Sequence, residues 1–505
     1  MTSKVYSAIP YGFDYKHITV EGDMNKGLPC LNIVGMANKT VCESRERIRA
    51  AITNSGFSFP RDKLIINLAP AEIEKTGTSL DLPIALAVLS LSMQILQQDL
   101  HNRLFAGELS LTGEIRPIKG IINIIEAAKQ HGFAEAYIPA GNATQAALVA
   151  DDQIQIFPVQ NLRELWLKLK SIRDISPLSP FVKNTQKDKH KHIVFDDVFG
   201  QLQAKRALTI AVAGRHNLLF TGPPGTGKSM LAKCIPSLLP AMSLQECVEV
   251  TKLHSLVSRT TQAITERPFR APHHSASLSA MLGGGPHALP GEISLAHHGV
   301  LYLDEFAEYP RNILEALRQP LEDRQISISR ANIKTNYPAN IMLVATTNPC
   351  PCGYYKSSMH ACSCTPAQLQ AYRKKLSGPL LDRIDIVLTV NCPAESVLFK
   401  STTISTPEYD NAKNLVQTAL NNQFNRYHNS AKFNSMLSSH EASTLVSLTK
   451  SAQNLLRLAS KNQHLSARAF FKVIKVARTI ADLESSPDVD ESHIAEALAY
   501  RPVID

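Results

Sequence analysis

A glycine-rich segment after an apolar run carries the residues best suited to chemistry. Residues 217–221 (NLLFT) are typical of a buried strand, the next eight have the spacing G-x-x-x-x-G-K-S, and a helical pattern follows. Glycines in such a loop let backbone N–H groups surround phosphates, and the helix directs its positive N-terminus towards them. We therefore predict an ATP site. It comprises Gly222, Pro223, Pro224, Gly225, Thr226, Gly227, Lys228 and Ser229.

Two acidic residues, Asp304 and Glu305, follow a second apolar run at residues 300–303 (VLYL). Phosphoryl transfer needs one carboxylate for the Mg²⁺ water shell and another that polarises the attacking water, and these residues are candidates for the two roles. Lys228 is expected to reach the β- and γ-phosphates, and the Ser229 hydroxyl to ligate Mg²⁺. An acidic helix N-terminus is the plainer interpretation of the two carboxylates, but the glycine-rich segment argues against it.

Four of the nine cysteines form two C-x-C pairs separated by nine residues. Four thiolates complete a tetrahedral structural Zn²⁺ site, which would hold this loop in place. The predicted ligands are Cys350, Cys352, Cys362 and Cys364. His360 could replace one of them, and free reduced thiols are the alternative.

Two histidine pairs, His273–His274 and His297–His298, also suggest metal binding. Adjacent side chains point to opposite faces of a strand and diverge on a helix. We therefore expect neither pair to share an ion, and we interpret both as packing or loop residues.

Composition limits the class of protein. A chain of 505 residues with 44% apolar and 19% charged residues is expected to form two or three globular domains. No apolar run is long enough to cross a bilayer, and no signal peptide is recognised, so we expect a cytoplasmic protein. The net charge of +9 fits a nucleic-acid partner, although a merely basic surface is the alternative.

The pattern of elements predicts an α/β fold with a helical end. Residues 1–172 mix strands with helices, including a strand at 64–68 and helices at 41–55 and 82–96. Residues 173–192 form a polar linker, and 193–391 alternate strands and helices as a parallel sheet does. Residues 392–505 form the C-terminal helical domain, in which a polar stretch at 391–438 precedes a helical end at 439–500.

Three longer motifs identify a family resemblance. They are residues 267–275 (RPFRAPHHS), 290–299 (PGEISLAHHG) and 378–385 (GPLLDRID). The chain resembles the magnesium-chelatase-like AAA+ proteins of the YifB/ComM family over essentially its whole length. The resemblance implies an N-terminal α+β domain similar to the Lon protease domain, a central AAA+ P-loop domain and a C-terminal helical lid.

The resemblance also implies roles for three further residues. Asn348, which follows the apolar run 341–346, is similar to the residue that senses the γ-phosphate in AAA+ proteins. Arg383 is similar to the arginine finger that reaches the ATP of a neighbouring subunit, which requires a ring. Arg468 is similar to the sensor-2 arginine of the lid. A surface ion pair is the alternative for either arginine.

Residues 326–337 alternate apolar and polar side chains, as a β-hairpin does. The family resemblance implies a hexamer whose hairpins line a central pore, where Arg330 and Lys334 would follow a phosphate backbone. The glycine-rich loop 281–290 is a second pore candidate. A solvated charged turn is the alternative interpretation.

The N-terminal region departs from the protease pattern that it resembles. Ser79 stands at the position of the nucleophile, but Ile122 stands where that family has its general-base lysine. A serine without a neighbouring base is a poor nucleophile, and Lys119 lies three residues early and is expected to point elsewhere. We therefore expect a domain retained for assembly or DNA contact, without proteolytic activity.

The resemblance thus implies a hexameric ATPase motor that catalyses DNA branch migration in the recombination of imported DNA, as in natural transformation. Its expected partners are single-stranded, forked or branched DNA, further copies of itself and recombination proteins, and its cofactors are ATP, Mg²⁺ and structural Zn²⁺. The alternatives are a chelatase-like motor for metal insertion, an ATP-dependent protease or unfoldase, and a nucleotide-gated scaffold.

Overall fold

The fold combines two sheets with a helical C-terminal region. The computed structural model describes residues 2–36, 39–75, 77–182, 195–330, 333–356, 360–376, 378–392 and 408–501. A mixed sheet comes first, a parallel sheet follows, and the end of the chain is helical, as the predicted α/β class requires. The predicted domain boundaries remain predictions.

One seven-stranded sheet organises the N-terminal region. Its strands, with a small separate pair (β6 and β7), are Thr2–Tyr11 (β1), Asp14–Asn25 (β2), Cys30–Val34 (β3), Lys63–Ala69 (β4), Arg103–Phe105 (β5), Glu108–Leu109 (β6), Ile115–Arg116 (β7), Glu135–Pro139 (β8) and Gln155–Val159 (β9). The order is β3-β4-β2-β1-β5-β8-β9, with β1 antiparallel to β2 and parallel to β5. The helices are Lys39–Asn54, Asp81–Leu91, Ile121–Gln130, Ala143–Ala147 and Leu162–Leu169.

The apolar helix of this region is shorter than the sequence indicated. All residues of Asp81–Leu91 are buried, which explains its lack of a polar face. The helix was expected to reach residue 96, but it ends five residues earlier, because Met93 adopts a left-handed φ of 61° that a helix cannot continue through. The predicted strand at 64–68 and helix at 41–55 are confirmed within two residues at each end.

Five parallel strands form the central sheet. The strands of this region are Leu218–Thr221 (β10), Phe269–Arg270 (β11), Gly283–Gly284 (β12), Leu289–Pro290 (β13), Val300–Leu303 (β14), Gln325–Arg330 (β15), Ile333–Pro338 (β16), Met342–Thr347 (β17) and Ile386–Thr389 (β18). The sheet order is β11-β14-β17-β10-β18, and every neighbouring pair is parallel. The carboxyl ends of β10, β14 and β17 therefore meet at one edge, where ligands bind in open α/β sheets.

Helices cover this sheet and form the end of the chain. Those of the central region are Leu202–Gly214, Lys228–Leu238, Leu244–Val257, Leu278–Leu282, Glu292–Leu295, Arg311–Ala316, Arg318–Asp323, Pro366–Lys375 and Gly378–Leu381. Those that follow are Glu408–Tyr427, Ser439–Leu445, Lys450–Asn462, Ala467–Leu483 and Glu491–Ala499. The two sets share one hydrophobic core, in which Leu208 and Phe220 lie with Val416 and Ile474.

The predicted linker is described only up to residue 182. Its first part is held against the N-terminal sheet region, since the Leu178 amide donates to the Ile156 carbonyl at 2.8 Å and the Phe181 amide to the Ala147 carbonyl at 3.0 Å. Residues 183–192 lie outside the described residues. Among the described helices, none has both the length and the apolar character needed to cross a bilayer.

A buried carboxylate ties the C-terminal helices together. Asp482 has no solvent exposure and accepts hydrogen bonds from Arg426, from Arg478 at 2.9 Å and from the Asn434 amide at 2.8 Å. Arg478 is itself only 2% exposed. Two guanidinium groups therefore depend on one carboxylate for compensation of their charge.

Replacing that carboxylate should destabilise the helical region. We expect Asp482→Ala to lower its free energy of unfolding by about 3–5 kcal/mol, because a buried cation loses its partner. Urea unfolding followed by circular dichroism measures the change. Asp488→Ala, which removes an exposed carboxylate from the same segment, is the matched control and should change little. Equal effects of the two substitutions would contradict this account.

Candidate functional site

The segments that follow three strands of the parallel sheet meet at one edge, and they carry five of the predicted site residues. The Lys228 ammonium lies 3.4 Å from Oδ1 of Asn348, and the Ser229 hydroxyl lies 3.3 Å from Oδ2 of Asp304. Glu305 follows Asp304 directly. Residues from the ends of β10, β14 and β17 thus form one group.

The loop between β10 and its helix has the backbone that a phosphate cradle needs. Gly222, Gly225 and Gly227 have φ values of 157°, 78° and 86°, a range that other residues rarely adopt. A Cβ on Gly222 would lie 2.2 Å from the Val390 carbonyl oxygen, so this position has room only for glycine. The loop therefore depends on its glycines for its path.

Lys228 is held inside this loop. Its ammonium donates to the carbonyls of Gly222 and Pro223 at 2.7 Å each. Burial lowers its pKa, and the Asp304 carboxylate acts in the opposite direction. An ammonium surrounded by loop carbonyls fits a phosphate-binding lysine, and the oxygens of Ser229 and Asp304 are ligands that suit Mg²⁺.

The two acidic residues have different surroundings. Asp304 accepts hydrogen bonds from the Thr346 hydroxyl and, at 3.2 Å, from the Glu305 amide. Glu305 has a left-handed φ of 51°, and its side chain is 55% exposed, with the nearest cation candidate, Nδ1 of His274, at 3.9 Å. One carboxylate is therefore fixed, while the other faces solvent. Sequence reasoning missed Thr346, although it lies on β17, two residues before Asn348.

The two predicted arginines lie elsewhere. Within the described residues, neither Arg383 nor Arg468 is hydrogen-bonded to the phosphate loop. Both pair instead with the carboxylate of Glu322, at 2.5 Å each. Sequence reasoning missed Glu322, and no spacing signal could have found it, since its partners lie 61 and 146 positions further along the chain.

The predicted hairpin is confirmed. β15 and β16 pair antiparallel from Gln325↔Pro338 to Arg330↔Ile333, while residues 331–332 at the tip lie outside the described residues. Lys334 is exposed. The stem packs against the N-terminal region, since the Phe13 amide donates to the Thr335 hydroxyl at 3.3 Å.

The glycine-rich loop faces the N-terminal region across a cleft of about 880 Å³. Its lining includes Gly285 and Pro286 of the loop and Ser79 and Lys119 of the N-terminal region. The Lys119 ammonium donates to the Val257 carbonyl at 2.7 Å, and Ile122 is fully buried in the helix Ile121–Gln130. The expectation that Lys119 is engaged elsewhere is confirmed.

The four clustered cysteines converge. The sulfur of Cys350 lies 3.3 Å from that of Cys352 and 3.8 Å from that of Cys362, and all four sulfurs lie within 4.8 Å of one another. Zn–S bonds of about 2.3 Å place tetrahedral sulfurs about 3.8 Å apart, so the group fits Zn²⁺. The loop also touches the phosphate site, because a Cβ on Gly353 would lie 2.8 Å from Cδ of Pro224.

The expected divergence of the histidine pairs is wrong. Ring centroids lie 4.0 Å apart in His273–His274 and 3.9 Å apart in His297–His298. His298 has a left-handed φ of 56°, which turns its side chain away from the regular alternation. Nε2 of His297 and Nε2 of His298 both approach Oε2 of Glu249, at 3.0 and 2.8 Å.

This convergence favours hydrogen bonding over a shared ion. Nδ1 of His297 accepts from the Asn340 amide at 2.9 Å, so Nε2 of the neutral ring carries the proton and donates to Glu249. A ring nitrogen that carries a proton has no lone pair for a metal. That neither pair shares an ion stays a prediction.

His297 should make stability depend on pH. Burial lowers the pKa of His297 to about 4 from its usual 6.5, so the folded protein keeps it neutral while the unfolded chain binds a proton below pH 6.5. Acidification from pH 7 to 5 should therefore cost about 2 kcal/mol through this residue. Glu249 stays ionised in the folded protein over this range, because its pKa is lowered, first by the hydrogen bond from His297. In the unfolded chain a glutamate only begins to bind protons at about pH 5, so Glu249 adds little to the loss.

Denaturant unfolding at pH 7 and pH 5 tests this. We expect His297→Asn, which keeps an acceptor for the Asn340 amide, to reduce the pH-dependent loss. His440→Asn removes an exposed histidine and should leave the loss unchanged. An unchanged pH dependence in His297→Asn would refute the assignment.

Comparisons with known proteins cover the same regions. Residues 194–397 match the family described as magnesium chelatase, subunit ChlI; residues 20–142 match subunit ChlI of Mg-chelatase; and residues 409–501 match the C-terminal part of that subunit. Competence protein ComM of Haemophilus influenzae is 39% identical over 504 residues, which cover 99% of this chain and 97% of that protein.

Two further similarities differ in extent. Protein YifB of Escherichia coli is 40% identical over 503 residues, which cover 99% of this chain and 97% of that protein. The protein named Probable DNA helicase MCM9 of Arabidopsis thaliana is 26% identical over 194 residues, only 38% of this chain and 25% of that protein. The first similarity extends over the full length, and the second is partial.

Proposed function

Because this chain belongs to the YifB/ComM family of magnesium-chelatase-like AAA+ ATPases, we propose that it is a ring-forming, ATP-driven DNA motor that carries out branch migration in the recombination of imported DNA. The observation that carries the proposal is the convergence of Lys228, Asn348, Ser229 and Asp304 at one sheet edge. The full-length similarity to a competence protein supports DNA as the substrate, and the net charge of +9 agrees with it.

The site residues have separate roles in the proposed hydrolysis. The loop 222–229 binds the triphosphate through its backbone amides and Lys228. Mg²⁺, when bound through Ser229 and Asp304, supplies positive charge to the β- and γ-phosphates. Thr346 orients Asp304 by donating to its carboxylate, so that Glu305 remains the carboxylate free to polarise a water molecule.

Asn348 is the proposed sensor of the γ-phosphate. Its side-chain oxygen already meets the Lys228 ammonium at 3.4 Å, so a phosphate that binds Lys228 changes the surroundings of Asn348 as well. In the proposed hexameric ring, Arg383 of one subunit acts on the ATP of the next. Arg468 contributes a second cation for the transferred phosphoryl group.

The hairpin is the proposed DNA contact. Its stem is anchored in the core by Ile326, Ile328 and Tyr337, all buried, whereas Lys334 is exposed near the tip. A rigid stem with cations at its end suits contact with a phosphate backbone in a pore. Arg330 is the second proposed DNA-contacting residue.

Steady-state ATPase rates without DNA, with single-stranded DNA and with a four-way junction test the proposal. We expect stimulation by DNA in the wild-type chain. Glu305→Gln should lower the rate by about 10²–10⁴-fold in every condition, because the attacking water loses its base. Arg330→Ala combined with Lys334→Ala should lose the stimulation and keep the DNA-free rate.

A matched control removes a cation elsewhere. Lys26→Ala, an exposed position in the N-terminal region, should keep full stimulation. A wild-type rate indifferent to every DNA would reject the DNA motor and favour a chelatase-like motor or a scaffold. ATP-dependent degradation of casein would instead favour a protease.

We also propose that the four cysteines bind one structural Zn²⁺. Elemental analysis of the purified chain should give about one zinc per chain, and Cys352→Ser combined with Cys362→Ser should abolish it, since two thiolates cannot complete the tetrahedron. The loop that contains Gly353 contacts Pro224, so metal loss should also weaken ATP binding. Cys30→Ser, at an exposed cysteine outside the cluster, should retain zinc. A metal-free wild type would contradict this assignment.

A further inference from the structure

One carboxylate holds both arginines that the proposed reaction needs. Oε2 of Glu322 pairs with Nη2 of Arg383 at 2.5 Å, and Oε1 pairs with Nη2 of Arg468 at 2.5 Å. The two arginines come from segments far apart in the sequence, and this single side chain brings their guanidinium groups together. Its charge also offsets the repulsion between two cations held close to each other.

Arg383 is not presented to a partner in this arrangement. Its side chain is only 12% exposed, and its second terminal nitrogen, Nη1, donates to the Pro379 carbonyl. Its Nε is buried without a hydrogen-bond partner among the described residues. An unsatisfied buried donor disfavours a conformation. Because Nη1 and Nη2 are both hydrogen-bonded within the subunit, both must leave their present partners before Arg383 can contact a phosphate on another subunit.

The ion pairs also connect two parts of the subunit. The arginine segment is fixed to the helix Ala467–Leu483, since the Lys472 ammonium donates to the Ile384 carbonyl at 2.6 Å. Glu322 lies on the helix Arg318–Asp323, which leads directly into β15. The Arg324 carbonyl accepts from the Ala339 amide at 2.7 Å and closes the base of the hairpin.

We propose that Glu322 is a positioning residue that restrains Arg383 and Arg468 until a phosphate displaces it, and that links their release to the hairpin. The proposal rests on the roles proposed above for the two arginines. Glu322 and Arg468 are 41% and 42% exposed, and exposed ion pairs are weak. A triphosphate carries more negative charge than one carboxylate, so it can outcompete Glu322 for both guanidinium groups.

The reactivity of the arginines measures the restraint directly. Full-length wild-type and Glu322→Gln chains are treated with phenylglyoxal without nucleotide, and the modification of Arg383 and Arg468 is followed by peptide mass spectrometry. We expect both arginines to react about two- to fivefold faster in Glu322→Gln, the range that loss of an exposed ion pair allows. Asp323→Asn, which removes the neighbouring charge on the same helix, should react as the wild type does.

The ATPase rate then shows what the restraint does. At protein concentrations that limit assembly, the DNA-free rate of Glu322→Gln should rise by about two- to fivefold, and Arg383→Ala in the same chain should abolish the gain. Thermal unfolding checks that all variants fold. Unchanged arginine reactivity would overturn the proposal, and so would faster modification with a lower ATPase rate, which would make Glu322 an aligning group.

Failure of the proposed function would look different. A wild-type chain that hydrolyses no ATP would reject the motor, while the modification rates would still decide whether Glu322 restrains the two arginines.

Discussion

Parallel hydrogen bonding between β10 and β17 is the constraint on which the site depends. Leu218 pairs with Val344 and Thr221 with Thr347, and the Gly222 amide continues the ladder to the Thr347 carbonyl at 3.2 Å. This register brings the phosphate loop and Asn348 to the same height. Because β14 pairs with the other side of β17, Asp304 lies at the same edge although β14 does not pair with β10.

A second set of contacts connects the C-terminal helices to the central sheet. Nε2 of His216 lies 2.8 Å from the Thr479 hydroxyl, and Nδ1 of the same ring lies 3.5 Å from Oδ2 of Asp385. Asp385 is the residue just before β18. Polar side chains thus connect the start of β18 with the helix Ala467–Leu483. The Lys472 ammonium of that helix donates to the Ile384 carbonyl in the arginine segment, and Glu322, close to the hairpin base, pairs with Arg383 and Arg468. Polar contacts therefore connect the proposed nucleotide site with the proposed DNA contact.

The N-terminal region contributes through its packing against the central one. The Phe13 amide binds the Thr335 hydroxyl of the hairpin stem, and the Lys119 ammonium binds the Val257 carbonyl. A lysine occupied in this way cannot serve Ser79 as a base. These contacts agree with an N-terminal region that supports the hairpin. The lysine nearest to the expected position of the general base, Lys119, contributes to the packing between the two regions.

The sequence by itself determined the local features: the glycine-rich loop, the strands that end just before Asp304 and Asn348, the alternating hairpin and the clustered cysteines. Each is encoded within a few neighbouring residues, by spacing or periodicity. Only the tertiary structure decided that Glu322 gathers Arg383 and Arg468, and that His297 and His298 converge on Glu249. Such pairings join residues that are distant in the chain or depend on one left-handed residue, and no local pattern records either, because side-chain contacts across a fold are set by packing and not by neighbours in the sequence.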